Sequence, residues 1–398
     1  MGISSFLPTR QAGLDRLAAF VPLAGRHYTD GRNSDPGPDL RGAVSRLSPY
    51  VRYRLVSEQE IVAQVLGRHS FADAEKFVQE VLWRTYWKGW LELRPVVWAR
   101  YVEELDRQRQ HFRGGRALAA AENGTTGIDG FDDWARELVE TGYLHNHARM
   151  WFASIWIFTL RLPWALGADF FLRHLLDGDA ASNTLSWRWV AGLQTVGKTY
   201  LATADNIERY SAGRFRPKGL ATKAVALSEA PIEGARTLPA SGVADTGAPA
   251  LLLITPEDMG PETWLPGGLH VAGALAAHDA DLLWGDAARA FVGGAAKDTA
   301  ARVEAQCRCP VQLADKLDAA TLVTAAHNAA TRQIVTPYAP VGPVSDRLAR
   351  LTTDLAREGI ALVQLRRNWD SQFWPHAKKG FFPFKERIPA LLREEGLQ

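Results

Sequence analysis

The segment DGDAASNTLSWRWVAGLQTVGKTY, residues 177–200, concentrates side chains that could do chemistry. Within a few turns it holds two carboxylates, an amide and two indoles, namely Asp177, Asp179, Asn183, Trp187 and Trp189. Carboxylates and amides hydrogen-bond polar ligands, and indoles pack or stack. Taken alone, the segment is a crowded polar patch with many indoles, so its role depends on the segments that accompany it.

A second polar and aromatic set lies in QEVLWRTYWKGW, where Glu80, Trp83, Arg84 and Trp87 stand at i, i+3, i+4 and i+7. One helical face therefore presents a carboxylate, a cation and two indoles. Such a face can stack a planar ring and hydrogen-bond its polar edge. It can equally be half-buried, with a Glu80–Arg84 ion pair worth about 0.3 to 0.5 kcal/mol. The spacing leaves both interpretations open.

Two further segments carry charge in a helical context. In SRLSPY, the hydroxyls, backbone N–H groups and guanidinium of residues 45–48 suit a phosphate or pyrophosphate. Ser48 followed by Pro49 is also an ordinary helix cap with proline at the first helical position. TGYLHNHARMWFASIW places on one face Asn146, Arg149, Met150 and Ala153. A buried Arg149 needs a carboxylate, and Asp177 is the candidate. His145 and His147 point apart on a helix and have no partner motif, so we expect no metal site.

The element pattern changes along the chain. From about residue 10 to 212 apolar residues recur at three- and four-residue steps, which predicts helices. Residues 224–247 are rich in Ala, Pro, Gly and Ser, which is typical of a linker. Short apolar runs at 249–254, 332–338 and 360–365 alternate with helical stretches, which predicts βαβ units. We therefore predict an all-helical domain over 1–223, a linker over 224–247, and a smaller Rossmann-like parallel α/β domain over 248–398.

Composition narrows the class of protein. The 398 residues are 23% charged and 46% hydrophobic with a net charge of +2, so any nucleic-acid surface must be local. Ten of the 14 Trp residues lie between Trp83 and Trp189, so the first half is built around aromatics. Cys307 and Cys309 are too close for a relaxed disulfide and too few for a zinc site. With no leader pattern or long apolar run, we expect a monomeric cytoplasmic protein without a membrane span.

Together, the four segments resemble the FAD-binding helical domain of the photolyase/cryptochrome family in order and spacing, over about residues 20 to 212. The resemblance implies FAD as the cofactor. By position it assigns FAD contacts to Tyr28, Ser45, Arg46, Leu47, Ser48, Arg84, Asn146, Arg149, Asp177, Gly178, Asp179 and Asn183. Arg149 would pair with Asp177, and Asn183 stands where the family residue faces flavin N5. Photolyases typically carry Asn there, so this residue favours repair.

The resemblance also implies a DNA substrate. Glu80, Trp83 and Met150 match positions that line the pyrimidine-dimer pocket and, with Asn183, would be the catalytic residues. The DNA contacts that it implies are Arg32, Glu80, Trp83, Trp87, Asn146 and His147. (6-4) photolyases carry His where Asn146 and Met150 stand here, so cyclobutane dimers are the expected lesion. His147 departs from the Arg that DNA-contacting relatives often carry, which weakens the expected grip on phosphate.

Trp187 and Trp164 stand at the spacing of the family's electron-relay tryptophans. The third relay position is occupied by His111. The sequence leaves four possible substitutes open: Trp98, Trp134, Trp151 and Trp156.

The tail from residue 333 onward resembles the second half of the family's α/β antenna domain, including the closing run FFPFKERI. This suggests a degenerate antenna domain placed C-terminally, as if permuted. Its VTPYAPVGPVSD loop could hold an antenna chromophore, but we favour a helix start. The resemblance implies blue-light repair of cyclobutane pyrimidine dimers in single- or double-stranded DNA. The alternatives are a cryptochrome-type photoreceptor without repair, and a non-photochemical flavoprotein or single-strand nucleic-acid binder.

Overall fold

The computed structural model describes residues 6–38, 40, 42–283 and 285–397. Within these residues the N-terminal half is helical, as predicted. Its helices are α1 Arg10–Phe20, α2 Arg26–Gly31, α3 Ser48–Arg52, α4 Glu58–Leu66, α5 Phe71–Glu92, α6 Val96–His111, α7 Arg116–Glu122, α8 Phe131–Thr141, α9 Asn146–Ser154, α10 Trp164–His174, α11 Ala180–Val190 and α12 Ala204–Tyr210. A short π-helical turn, Ile155–Thr159, extends α9.

Local sequence fixes where several of these helices begin and end. Ser57 caps α4 in a capping box with Glu60, and the Asp179 carboxylate caps α11 by accepting from the backbone N–H of Ser182. Gly142 ends α8 at a φ of 69°, a backbone conformation that glycine adopts without strain. A Cβ atom there would lie 2.7 Å from Cγ of Leu176, so the turn is also tightly packed.

The C-terminal part holds five parallel strands among its described residues: β1 Ala250–Ile254, β2 Val271–Ala277, β3 Val311–Ala314, β4 Gln333–Pro337 and β5 Ala361–Leu365. The accompanying helices are α13 Asp286–Cys307, α14 Ala319–Asn328, α15 Pro343–Arg357, α16 Asn368–Phe373, α17 Phe381–Lys385 and α18 Ile388–Glu394.

The strand order β3-β2-β1-β4-β5 gives the chain an all-helical part followed by a Rossmann-like parallel sheet, which confirms the predicted fold class. The register pairs Leu252 with Ala274, and Leu251 with Ile334. The predicted strands correspond to β1, β4 and β5, whereas β2 and β3 were not predicted. The loop before α15 is a helix start, because α15 begins at Pro343 directly after Gly342.

Residues 224–247 are all described and form no helix or strand. This segment is nevertheless bonded to both parts. The N–H of Leu227 donates to the carbonyl of Ala191, that of Arg236 to Leu93, and that of Gly242 to Gln364.

The two parts pack together along α5. The indole N–H of Trp369 donates to Oγ1 of Thr85 at 3.1 Å. Gly89 is tightly covered, since a Cβ atom there would lie 2.8 Å from Cα of Trp374. One hydrophobic core therefore runs from the helices into the C-terminal part. No helix in the described ranges is long and apolar enough to span a bilayer.

Candidate functional site

Asp177 lies buried in the turn between α10 and α11. The predicted pair with Arg149 forms, because Nη2 of Arg149 donates to Oδ2 of Asp177 at 2.9 Å. The Arg149 side chain also donates from Nε to the carbonyl of Leu144 at 3.0 Å, which fixes its orientation. Burial alone would raise the pKa of Asp177, but Arg149 and Arg84 outweigh it and hold that pKa below its ordinary value. Asp177 is therefore a buried carboxylate ion.

Asp179, two residues later, is surrounded by cations. Its Oδ2 lies 3.6 Å from Nζ of Lys88, 3.7 Å from Nη1 of Arg84 and 3.9 Å from Nε of Arg52. Burial would raise the pKa of Asp179, but Lys88, Arg52 and Arg84 together lower it far below its usual range. Since Asp179 also caps α11, this charge cluster sets the position of the helix that carries Asn183 and Trp187.

Several buried polar atoms around this turn lack a hydrogen-bond partner in the part of the chain that the structure describes. They include Oδ1 of Asp177, Nη1 of Arg84, Nζ of Lys88 and Oγ of Ser182. A buried polar atom without a partner costs about 1 to 3 kcal/mol, and more when it is charged. An acceptor, charged donors and a hydroxyl that lack hydrogen bonds around one turn fit the polar edge of a ligand with both acceptors and donors.

Asn183 lies one turn into α11, and its amide is buried. Nδ2 donates to the carbonyl of Ala168 at 2.9 Å, which orients the amide and leaves Oδ1 as its acceptor. Behind it, the Trp187 ring meets Phe171 at 5.0 Å and Trp156 at 6.2 Å between ring centroids. Gly167 allows this packing, because a Cβ atom there would lie 2.3 Å from Cη2 of Trp187.

The 45–48 loop lies next to the Arg149–Asp177 pair. The Arg46 backbone has a φ of 53°, a conformation that is rare for residues other than glycine. Its guanidinium lies 5.4 Å from the Tyr143 ring centroid, and Arg149 lies 5.7 Å from the same centroid. The N–H of Leu47 donates to Oγ of Ser45 at 3.3 Å. Two arginines therefore face one tyrosine ring.

The alternative role of Ser48 as a helix cap is wrong. Leu47 precedes the first turn of α3 and makes no side-chain cap, and Ser48 is itself the first helical residue. The Ser48 hydroxyl instead faces Asp177, whose pKa it helps to lower. Nearby, Tyr28 is 4% exposed, packs against Phe77, and has its pKa raised by burial.

Glu80 pairs with Arg32 rather than with Arg84. Nη1 of Arg32 donates to Oε2 of Glu80 at 3.0 Å, so the Glu80–Arg84 pair that helical spacing permits is not formed. The Glu80 side chain is 37% exposed. Desolvation by the surrounding residues still raises the pKa of Glu80, although Arg32 opposes the shift. This carboxyl group therefore retains its proton to a higher pH than an ordinary glutamate.

The Trp83 ring is stacked on Phe381 of α17. Their centroids are 3.6 Å apart and the rings are inclined by 11°. The OH of Tyr86 donates to the carbonyl of Lys379 at 2.8 Å, which ties the same C-terminal segment to α5. One face of the predicted base-stacking platform is therefore covered by the protein itself. Trp87, 9% exposed, packs against Trp83 at 5.2 Å.

The remaining predicted DNA contacts lie at the start of α9. Asn146 is exposed, and Met150, one turn further on, is half-buried. The His147 ring stacks on Tyr210 with a centroid distance of 5.5 Å. Burial, with smaller contributions from His145 and Arg32, lowers the pKa of His147 to about 4. His147 is therefore neutral near pH 7 and supplies no positive charge to a phosphate.

The predicted relay residues lie at the ends of facing helices, Trp187 on α11 and Trp164 at the start of α10. Trp164 is half-buried and meets Tyr101 at 5.6 Å, and Tyr101 meets Trp98 at 5.4 Å. Of the other substitutes, Trp156 contacts Trp187, whereas Trp134 and Trp151 contact each other at 5.3 Å. His111 is exposed against Phe112. The relay assignment stays a prediction.

Three charged residues of this region were not predicted: Arg52, Lys88 and Glu257. Lys88 follows Arg84 by one helical turn, and that spacing could have indicated a shared anionic partner. Arg52 ends the short helix α3. Glu257 follows β1 in the C-terminal part and carries no local signal. Nowhere in the described ranges do three or more His, Cys, Asp and Glu side chains form a group that could hold a metal ion.

Comparison with known proteins shows what the helical part of the chain is similar to. A family model described as the FAD binding domain of DNA photolyase matches residues 77–213. Over its helical part, this chain is similar to members of the photolyase/cryptochrome family. The matched residues include Arg84, Arg149, Asp177 and Asn183.

Individual relatives of the photolyase/cryptochrome family match about half of the chain. The deoxyribodipyrimidine photo-lyase of Streptomyces griseus is 38% identical over 187 residues, 46% of this chain and 39% of the relative. The chloroplastic/mitochondrial cryptochrome DASH of Ostreococcus tauri is 30% identical over 183 residues, 45% of this chain and 32% of the relative. A solved class III photolyase from Agrobacterium tumefaciens matches with a TM-score of 0.44 and 27% identity, over 51% of this chain and 43% of that one. The chain thus spans less than half the length of these relatives.

Proposed function

We propose that FAD binds at the turn between α10 and α11. The observation that carries the proposal is the group of buried, unsatisfied atoms on Asp177, Arg84 and Ser182, inside the segment that matches the FAD-binding domain. Asp177 and Asp179 would bind the polar edge of the flavin ring, and Asn183 would lie beside N5. Ser45, Ser48 and Arg46 would hold the pyrophosphate, where hydroxyls and a guanidinium supply the required donors.

We propose further that the protein is a deoxyribodipyrimidine photolyase that repairs cyclobutane pyrimidine dimers in light. When bound and reduced, FAD supplies an excited electron to the dimer and recovers it after the ring has split. The name of the Streptomyces griseus relative and the family match support this reaction class. The substrate would be DNA that carries such dimers.

In this proposal Glu80 has a defined chemical task. Desolvation raises the pKa of Glu80, which lowers the free-energy cost of protonating its carboxyl group, and the protonated group can donate a hydrogen bond to a pyrimidine carbonyl. That hydrogen bond strengthens as negative charge develops on the base, so it would favour the reaction over simple binding. Arg32, 3.0 Å from Glu80, would contact the adjacent phosphate.

A direct assay tests repair. The purified protein is loaded with FAD, reduced, and mixed with dimer-containing oligonucleotides, single- and double-stranded, in blue light and in the dark. We expect restored thymines only in light. Glu80→Leu should lower the yield of repair while retaining FAD, and Glu103→Leu, on the exposed surface of α6, should not. Light-independent results, or equal yields for both variants, would contradict the proposal.

One observation favours a second candidate, a flavin photoreceptor without repair. Phe381 covers a face of Trp83 on which a flipped base would otherwise stack. Phe381→Ala separates the two functions. If the covered face limits a repair enzyme, the variant should bind dimer-containing oligonucleotides several-fold more tightly and repair them faster. If parent and variant both photoreduce FAD but restore no thymines, the photoreceptor explains the protein better.

A further inference from the structure

Glu257 belongs to the C-terminal part but reaches the charge cluster of the helical part. It follows β1 in the sequence, and its side chain is 7% exposed. Its carboxylate makes a bidentate pair with Arg52, whose Nη1 and Nη2 donate to Oε2 and Oε1 at 3.1 and 2.9 Å. Oε2 also lies 3.7 Å from Nζ of Lys88. Such planar, two-bond pairing fixes orientation as well as position.

Both cations held by Glu257 also contact the Gly178–Asp179 turn. Nε of Arg52 donates to the carbonyl of Gly178 at 2.7 Å and lies 3.9 Å from Oδ2 of Asp179. Lys88 lies 3.6 Å from the same oxygen. Glu257 and Asp179 therefore share two cations, so a change at Glu257 reaches Asp179 through Arg52 and Lys88.

Arg52, Arg84 and Lys88 form ion pairs with two carboxylates, Asp179 and Glu257. Neutralising any one of these side chains changes the charge around the turn by one unit. The side chains of Arg52, Lys88, Asp179 and Glu257 are nearly buried, where charges are screened little by water.

We propose that Glu257 is a positioning residue for the flavin site. It holds Arg52 and Lys88 against the Gly178–Asp179 turn, and it contributes one negative charge beside the proposed flavin edge. The role rests on the proposed binding of FAD at this turn. The C-terminal part therefore contributes one carboxylate to a site whose other charged side chains all belong to the helical part.

The proposal predicts in which direction the ratio of reduced to oxidised FAD changes when Glu257 is neutralised. Reduced flavin carries more negative charge than oxidised flavin, so a more positive surrounding favours the reduced form. Glu257→Gln removes one negative charge from the cluster. At a fixed applied potential, the ratio of reduced to oxidised FAD in this variant should be at least threefold higher than in the parent. Spectroelectrochemical titration of the FAD-loaded full-length protein measures this ratio without any activity assay.

Asp370→Asn is the matched control. Asp370 is equally buried, also belongs to the C-terminal part, and also makes a bidentate pair with an arginine of the helical part, Arg54, at 2.7 and 2.6 Å. Its bonds do not involve Arg52, Lys88 or Asp179. We expect this variant to lose stability but to keep the parental ratio of reduced to oxidised FAD.

Lys88→Met tests whether the ratio of reduced to oxidised FAD changes in the opposite direction. It also provides a second test if the Glu257→Gln protein folds poorly. It removes one positive charge from the cluster, so the ratio of reduced to oxidised FAD should fall. The double variant should return toward the parental ratio. Parental ratios in both single variants, or an equal shift in Asp370→Asn, would overturn the role of Glu257. Failure of the parent to bind FAD would instead refute the proposed function, and with it this role.

Discussion

Asp177 uses one carboxylate oxygen to accept from Arg149, while Oδ1 accepts no hydrogen bond from any described residue. If that oxygen binds the flavin edge, Asp177→Asn removes a charged partner worth about 2 kcal/mol, so FAD should bind roughly thirtyfold more weakly. Titration of the apoprotein with FAD, followed by fluorescence, measures the effect. Asp169→Asn, which removes a buried carboxylate paired with Arg109 and Arg173, should bind FAD as the parent does. Equal weakening in both variants would contradict the assignment.

His147 makes stability depend on pH. Because burial lowers its pKa to about 4 from an ordinary value near 6.5, the unfolded chain binds a proton between about pH 6.5 and 4 while the native protein does not. This group therefore makes the protein less stable as the pH falls through that window.

The variant His147→Phe keeps the stack on Tyr210 but cannot titrate. Its urea midpoint should decrease less than that of the parent between pH 7 and pH 5. At pH 7 and pH 8, where His147 is neutral in the native and unfolded protein, the difference between the two midpoints should be constant. An equal decrease in both proteins at low pH would show that another group causes it.

At the level of residues, the sequence predicted the ion-pair partner of a buried charged side chain. The need of Arg149 for a buried carboxylate pointed to Asp177, and the two pair in the structure. Helical spacing predicted Arg84 as the possible ion-pair partner of Glu80. In the structure Glu80 pairs with Arg32, because Arg84 pairs with the carboxylate of Asp179. Spacing along one helix cannot rank partners supplied by other helices.

At the level of elements, the close contact between α10 and α11 requires a glycine, which has no side chain, at position 167. A Cβ atom on Gly167 would lie 2.3 and 2.5 Å from the Trp187 ring and 2.9 Å from Nε1 of Trp156. Gly167→Ala should therefore lower the free energy of unfolding by about 1 to 3 kcal/mol through overpacking. Urea denaturation measures the loss.

Gly293→Ala, in α13, is the control for helix propensity. A Cβ atom there would have no neighbour within 4 Å, so alanine should be neutral or stabilise by up to about 1 kcal/mol. A Gly167→Ala protein as stable as the parent would mean that the two helices separate at little cost.

The sheet was predictable only in part, and side-chain chemistry explains why. The runs that became β1, β4 and β5 are rich in Leu, Ile and Val. The β2 sequence VAGALAA is mostly alanine and glycine, which favour strands weakly, and it is a strand because its neighbours β1 and β3 pair with it. The four residues of β3 are too few to establish an alternation.

At the level of the whole molecule, Arg54 links the two parts through buried carboxylates. It lies 2.6 Å from Asp370, 3.3 Å from Glu58 and 3.6 Å from Asp258. Arg54→Met would leave these carboxylates without that cation, which should cost about 3 to 5 kcal/mol. Urea unfolding followed by hydrogen exchange should show both parts losing protection together.

Arg357→Met removes a cation that is 72% exposed and bonded to Asp354 within α15. It should change the free energy of unfolding by less than about 1 kcal/mol. If Arg54→Met is equally mild, the buried network contributes little to joining the two parts.

Residues 224–247 have the composition of a flexible linker, yet their backbone is bonded to α11, α5 and β5 in turn. Side chains add to this, since Arg100 donates to the carbonyls of Ala230 and Pro231, and Arg366 donates to that of Pro239. A protease requires several residues of free, extended chain, which this segment does not offer. Trypsin should therefore cut it slowly at Arg236, and the two fragments should remain together as a noncovalent complex after the cut.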